Sequence, residues 1–173
     1  MTGITFTSGA DHDVYFMQPT GGGPIKIGIS CDVRARLTTL RSFSPRGLEL
    51  LAVIPGSAFR EQLLMLHLDE FRMEGEWFQS RPEVWRVVIE AIDQGDLGWL
   101  ARTCELASYE KVIGEAETIC GSREAARQAL RIGANTYGAY RRSKYQANWT
   151  VLAAHHLLVH GVGPAPTIVK SAA

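Results

Sequence analysis

The chain has 173 residues, enough for one ordinary domain or for a domain of roughly 100 residues with a smaller appendage, and either can bury a core. Its composition, 46% hydrophobic and 21% charged, excludes intrinsic disorder, and no apolar run approaches the about 18 residues needed to span a bilayer, so no membrane segment is expected. The net charge is zero but unevenly spread: residues 1–110 carry 10 Lys/Arg against 15 Asp/Glu, and residues 111–173 carry 8 against 3, so the C-terminal part is the one expected to attract a polyanion.

The opening stretch MTGITFTSGADHD lacks the basic patch and apolar core of a secretory signal. Cys31, Cys104 and Cys120 are odd in number and far apart, which fits neither a disulfide framework nor a zinc ligand set. A reducing, cytoplasmic setting is the expectation.

Two short apolar runs, Val14 to Met17 and Ile25 to Ile29, read as strands joined by a hairpin at Gly21 to Gly23. That glycine run lacks the Lys-Ser/Thr and following helix of a phosphate-binding loop. Val33, Leu37 and Leu40 then recur at helical spacing, with Ser30 or Asp32 available as a cap. LELLAVIP, residues 48 to 55, suits a third and central strand. Ser57 can cap a helix running to about Arg72, and Gly75 breaks the chain before EWF. A further helix is expected between Pro82 and Gly95, with Val84, Val88 and Ile92 along one stripe.

The fold class expected is a small α/β (α+β) domain: a three-stranded, mainly antiparallel sheet flanked by helices, with a C-terminal helical extension. Residues 1–95 form the layered domain, and residues 96–160 read as helices interrupted at Gly114, Gly121, Gly133 and Gly138. Residues 161–173 form a mobile tail.

Several polar side chains sit where apolar ones are wanted. Glu61, Leu64, Met65 and Leu68 share one helical stripe, and an unpaired buried carboxylate costs several kcal/mol, so Glu61 needs a cation, a metal ion or the rim of a cleft. Arg36 lies about 60° from Val33 on its helical wheel and borders the apolar stripe. With Tyr15 and Lys26 on the hairpin, four functional groups can converge on one edge of the layer. A phosphodiesterase can use such a set: a hard carboxylate oxygen for Mg²⁺ or Mn²⁺, a guanidinium for phosphate, and a phenol or amine for water. Taken singly, each has a structural reading too. Tyr15 can be a strand aromatic, Lys26 an edge-strand lysine, and Arg36 with Glu61 a helix-to-helix ion pair. Trp77 and Phe78 read as core, with Glu76 as their solvated or hydrogen-bonded neighbour.

VYFMQ, IKIGIS, Asp32 to Arg36 as D-x-x-x-R, LLAVIPG, Glu61 and GEWF at 75–78 together resemble the GIY-YIG nuclease superfamily, in its phage and bacterial branch, over about residues 12–90. The resemblance implies a DNA-cleaving enzyme in which Tyr15 holds or activates the attacking water and Lys26 replaces the usual second tyrosine. Arg36 would contact the scissile phosphate, Glu61 would bind the metal, and Gly28 would let the second strand approach the first helix. The branch usually has a histidine four residues after the glutamate, where this chain has Met65. That departure points to the alternative, a catalytically silent DNA-binding or regulatory protein.

The candidate nucleic-acid contacts are Arg34 and Arg41 on the first helix, and Arg123, Arg127, Arg131, Arg141, Arg142 and Lys144 in the basic block of residues 121–150. Ser122 as a cap, Ala125, Ala126 and Ala129 as packing positions and a turn at Gly133 suit a helix-turn-helix. A solvated bundle packing on the first domain fits equally. DNA is the expected partner, with RNA as the other nucleic acid. His155, His156 and His160 have no acidic or cysteine companion in the sequence pattern and read as a helix surface.

Overall fold

The computed structural model describes residues 12–100 and 107–161. Cys104 and the tail beyond Gly161 lie outside them.

The alternating apolar runs form strands β1 (Asp13–Pro19) and β2 (Ile25–Ser30), paired antiparallel so that Tyr15 faces Gly28 and Met17 faces Lys26. All three glycines of the connecting turn adopt positive φ, which a side chain would resist, and the turn is closed by Gly22 N–H donating to the Pro19 carbonyl at 2.9 Å. Helix α1 (Val33–Ser42) starts at Asp32, whose side chain accepts from the Ala35 N–H. Strand β3 (Leu48–Pro55) pairs antiparallel with β1, with a register shift between Phe16 and Met17. Helix α2 (Ala58–His67) is capped by Ser57 and gives way to a 3₁₀ turn at Asp69–Phe71. Strand β4 (Trp77–Phe78) pairs antiparallel with β2, and helix α3 (Pro82–Gln94) begins at its proline and stops at Gly95 in the left-handed region.

The fold is α+β with a four-stranded antiparallel sheet ordered β3-β1-β2-β4. Two expectations are corrected. The sheet has four strands, the fourth being two residues long and therefore without a readable period. The strand at 48–55 is an edge, and β1 occupies the interior beside it; Pro55 at its end and exposed Glu49 belong to that edge position.

Alternation along β1 divides the two faces. Val14 and Phe16 join Ile25, Ile27, Ile54 and the apolar sides of α2 and α3 in the main core. Tyr15 and Met17 turn to the other face, where Val33, Leu37 and Leu40 of α1 cover them. On α3 the buried set is Val84, Val87, Val88 and Ala91, whereas Ile92 is exposed. A stripe of i, i+4, i+8 drifts about 80° around a helix, so the i, i+3, i+4, i+7 set is the one that stays on the core.

The C-terminal part consists of α4 (Tyr109–Cys120), α5 (Arg123–Ala129), α6 (Ala134–Tyr140) and α7 (Trp149–His160). Gly121 and Gly133 bound helices as expected, but Gly114 and Gly138 lie inside α4 and α6, facing open space where the missing side chain disturbs no packing. Ala126 is buried, while Ala125 and Ala129 are half-buried. A second apolar cluster joins Val112, Ile113, Ala116, Leu130, Tyr137 and Leu152. Helix α7 serves both cores, with Leu152 in the second and Ala153 in the first. It lies on α2, where Phe59 meets Trp149 and His156, and Thr150 Oγ1 donates to Gln62 Oε1 at 3.0 Å. Among the described residues no helix is long and apolar enough to cross a membrane.

Candidate functional site

Tyr15 is 1% exposed, and its ring lies over Gly28. A Cβ at residue 28 would stand 2.5 Å from the Tyr15 hydroxyl oxygen, so the glycine makes room for the phenol. Gly28 therefore accommodates the opposite strand's tyrosine, on the face of the sheet that α1 covers. The hydroxyl is met by Arg36, whose Nε donates to it at 3.4 Å. This contact with the phenol holds the Arg36 guanidinium above its ordinary pKa. Arg36 reaches Tyr15 from exposed α1, and no ion pair joins it to Glu61 among the described residues.

Lys26 is 7% exposed and sits on an interior strand, not an edge. It ion-pairs with Glu76, and its ammonium lies 5.5 Å from the centroid of the Trp77 indole. Glu76 is positioned by β4 pairing, its carbonyl accepting from Ile27 N–H at 3.0 Å, after a tight turn with Gly75 at φ +57°. Trp77 is half-buried and Phe78 fully buried, so only the latter is core in the full sense.

Glu61, on the first turn of α2, is 7% exposed. Burial raises its pKa above the ordinary carboxylate value, and the negative charge of Glu76 pushes the same way; Gln62, Lys26 and Arg72 oppose them. Glu76 also adds to the raised pKa of Arg36. One carboxylate thus bears electrostatically on Glu61, Lys26 and Arg36 together, and Arg36 holds Tyr15. Of the four side chains expected at the site, Arg36 contacts Tyr15, whereas Glu61 and Lys26 are linked to Arg36 only through the charge of Glu76. Glu76 is the member the sequence reading placed only beside the core; the buried lysine opposite it, in need of a counter-charge, was the available signal.

Met65 is buried at 5% exposure in the main core, with Gln62 Nε2 3.9 Å from its sulfur, and His67 is turned away against Trp99. Neighbouring Arg60 is a structural cation: its guanidinium donates to Asp96 at 2.7 Å and to the Leu97 carbonyl at 3.0 Å.

The basic side chains divide into two groups. Arg34 and Arg41 lie on exposed α1, with Arg41 Nε donating to the Leu48 carbonyl at 2.8 Å. In the C-terminal block most positive charge is matched internally. Arg127 pairs with Glu124, Arg141 with Glu117 at 2.7 Å, Arg131 with Asp69 at 2.9 Å, and Arg123 approaches Glu117 at 3.8 Å. Arg141 and the Tyr137 hydroxyl hold the Glu117 carboxyl below its ordinary value. Arg142 and Lys144 are exposed and have no ion-pair partner among the described residues.

The histidine cluster is less bare than its sequence suggested. His155 lies half-buried with Nε2 3.0 Å from a Glu115 oxygen, and burial lowers its pKa. Among the described residues no group of three or more His, Cys, Asp or Glu is arranged to hold a metal ion.

Residues 13–93 match the model of one family, the T5orf172 domain. The match corrects the resemblance to the GIY-YIG superfamily: the family found over this stretch is a distinct one. No curated protein and no solved structure matches the chain.

Proposed function

We propose that this protein is a metal-dependent nuclease that hydrolyses phosphodiester bonds of DNA. The observation that supports the reading is the buried Glu61 carboxyl, raised in pKa by burial and by Glu76, the same carboxylate that pairs with Lys26 and bears on the Arg36–Tyr15 pair.

The donor set suits Mg²⁺ or Mn²⁺. Two hard carboxylates, Glu61 and Glu76, repel each other there, and a divalent cation held by Glu61 would relieve that repulsion. When bound, such an ion neutralises phosphate charge and stabilises the leaving oxygen. Glu61 would be its protein ligand.

The chain's own groups supply the rest. Arg36 spends its Nε on Tyr15, which leaves the far edge of the guanidinium for two phosphate oxygens. That bond also fixes the Tyr15 hydroxyl as a point on which to position water. Lys26, anchored by Glu76, brings a second set of donors to the same water or to the phosphate. The cytoplasm is the setting, with exposed Cys31 and half-buried Cys120 both free thiols.

The test is plasmid nicking in Mg²⁺ and in Mn²⁺. The wild type cleaves, and Glu61→Ala and Arg36→Ala lose cleavage while keeping the fold by circular dichroism; cleavage that survives both substitutions defeats the proposal. A second reading, a DNA-binding or regulatory protein without cleavage, draws support from Lys26 being occupied by Glu76. It requires salt-sensitive DNA binding with no cleavage in either metal.

A further inference from the structure

A groove of about 480 Å³ adjoins the cluster, between the C-terminal end of α1, the start of β3 and the β1–β2 turn. Pro19, Pro24, Leu40, Phe43, Leu48 and Trp77 give it an almost wholly apolar lining. Phe43 is 82% exposed. Trp77 belongs to both places, because the indole that lines the groove also carries the Lys26 ammonium. The groove therefore shares the Trp77 indole with the lysine of the candidate site.

The α1 side of the groove is basic. Residues 33–47 contain Arg34, Arg36, Arg41 and Arg46 and no acid, within an N-terminal region that is net acidic. Arg46 lines the groove itself. Arg34, Thr38 and Arg41 follow one another at i, i+4 and i+7 along the exposed side of α1. Aromatic walls beside Arg46 and the arginine row of α1, with Glu76 at the Trp77 end already matched by Lys26, complement a ligand with flat apolar faces on a polyanionic backbone. A single nucleic-acid strand has both; a duplex keeps its base faces stacked inside. An apolar peptide would match the walls of the groove but not the positive charge beside them.

We propose that this groove is a stacking site for unpaired bases, with Phe43 and Trp77 as its platforms and the α1 arginines tracking the backbone. The inference rests on the nucleic-acid reading of the neighbouring cluster, and gives it a substrate class, single-stranded or locally opened strands.

The test uses the full chain in EDTA, so that binding is read without cleavage. Fluorescence anisotropy compares labelled oligothymidylate, a duplex of equal length and an abasic strand. Oligothymidylate should bind about tenfold tighter than the other two, and Phe43→Ala should remove that advantage while Phe43→Trp keeps it. Phe43 projects into solvent, so its truncation leaves the core intact. Equal binding of the three probes, or an advantage untouched by Phe43→Ala, overturns the proposal. So does a monomer–dimer shift abolished by Phe43→Ala with no dependence on bases, which would assign the face to self-association. The two readings separate: cleavage in Mn²⁺ without the Phe43 effect rejects the groove alone, and the Phe43 effect without cleavage rejects the nuclease alone.

Discussion

At the scale of single residues, Glu61 makes a prediction with two opposite signs. Its carboxyl is raised in the folded chain by burial and then by Glu76, so between the ordinary carboxylate pKa and the folded one the native state holds a proton that the unfolded state has lost. Stability therefore falls as pH rises through that window, and below about pH 4 the penalty disappears. Glu61→Gln should raise the melting temperature at neutral pH, with the gain vanishing in acid, while metal-dependent cleavage drops by about a hundredfold or more. Melts across that pH range and a cleavage assay read the two effects; a lower melting temperature at neutral pH would contradict the buried, repelled carboxyl. Gly28→Ala works through shape instead. The new methyl meets the Tyr15 hydroxyl at 2.5 Å, which forces the phenol off its position, costs about 1–3 kcal/mol and disturbs the Arg36 contact. Urea denaturation should show the loss, and cleavage should decline with it.

At the scale of elements, α2 carries its buried charges on adjacent residues that do different work. Glu61 faces the candidate site, whereas Arg60 binds the start of the helix to the segment after α3 through Asp96 and the Leu97 carbonyl. Asp96→Ala strands the guanidinium and should cost about 3 kcal/mol in urea unfolding, and Arg60→Met in the same chain should recover part of it because a buried pair is harder to break than to replace. Periodicity made α1, α2 and α3 legible, since caps at Asp32 and Ser57, Pro82 and Gly95 all act as their residue types dictate. It also gave the span of β3. What it could not supply was neighbourhood: an apolar run looks the same at an edge as in the interior, and two residues of β4 have no period. Glu61, Arg36, Tyr15 and Lys26 were readable as polar groups in apolar settings. Glu76 was not, because its importance comes from pairing across the sheet with a lysine fifty positions away in sequence.

At the scale of the whole molecule, the opposite charges of the two halves are partly cancelled inside the fold. Arg131 of the basic block reaches Asp69 of the acidic part, and Arg127 and Arg141 are met by acids within their own helical region. Paired guanidiniums have less to give a polyanion than the sequence count implies, since a phosphate must compete with a carboxylate already in place. The positive field of the basic block then falls to Arg142 and Lys144, both exposed. Salt dependence separates these roles, because each phosphate neutralised adds about 0.7–0.9 to the slope of log affinity against log salt. Arg142→Ala with Lys144→Ala should lower that slope by about 1–2 and leave the melting temperature unchanged. Arg141→Ala should do the reverse. The Glu117 carboxyl, held low chiefly by Arg141, contributes stability that is present above its unfolded pKa and lost as pH falls through the folded one, so removing Arg141 lowers the melting temperature at neutral pH and leaves the slope nearly intact. A slope that falls with Arg141→Ala as much as with the exposed pair would assign Arg141 to the nucleic acid rather than to the packing of α6 against α4.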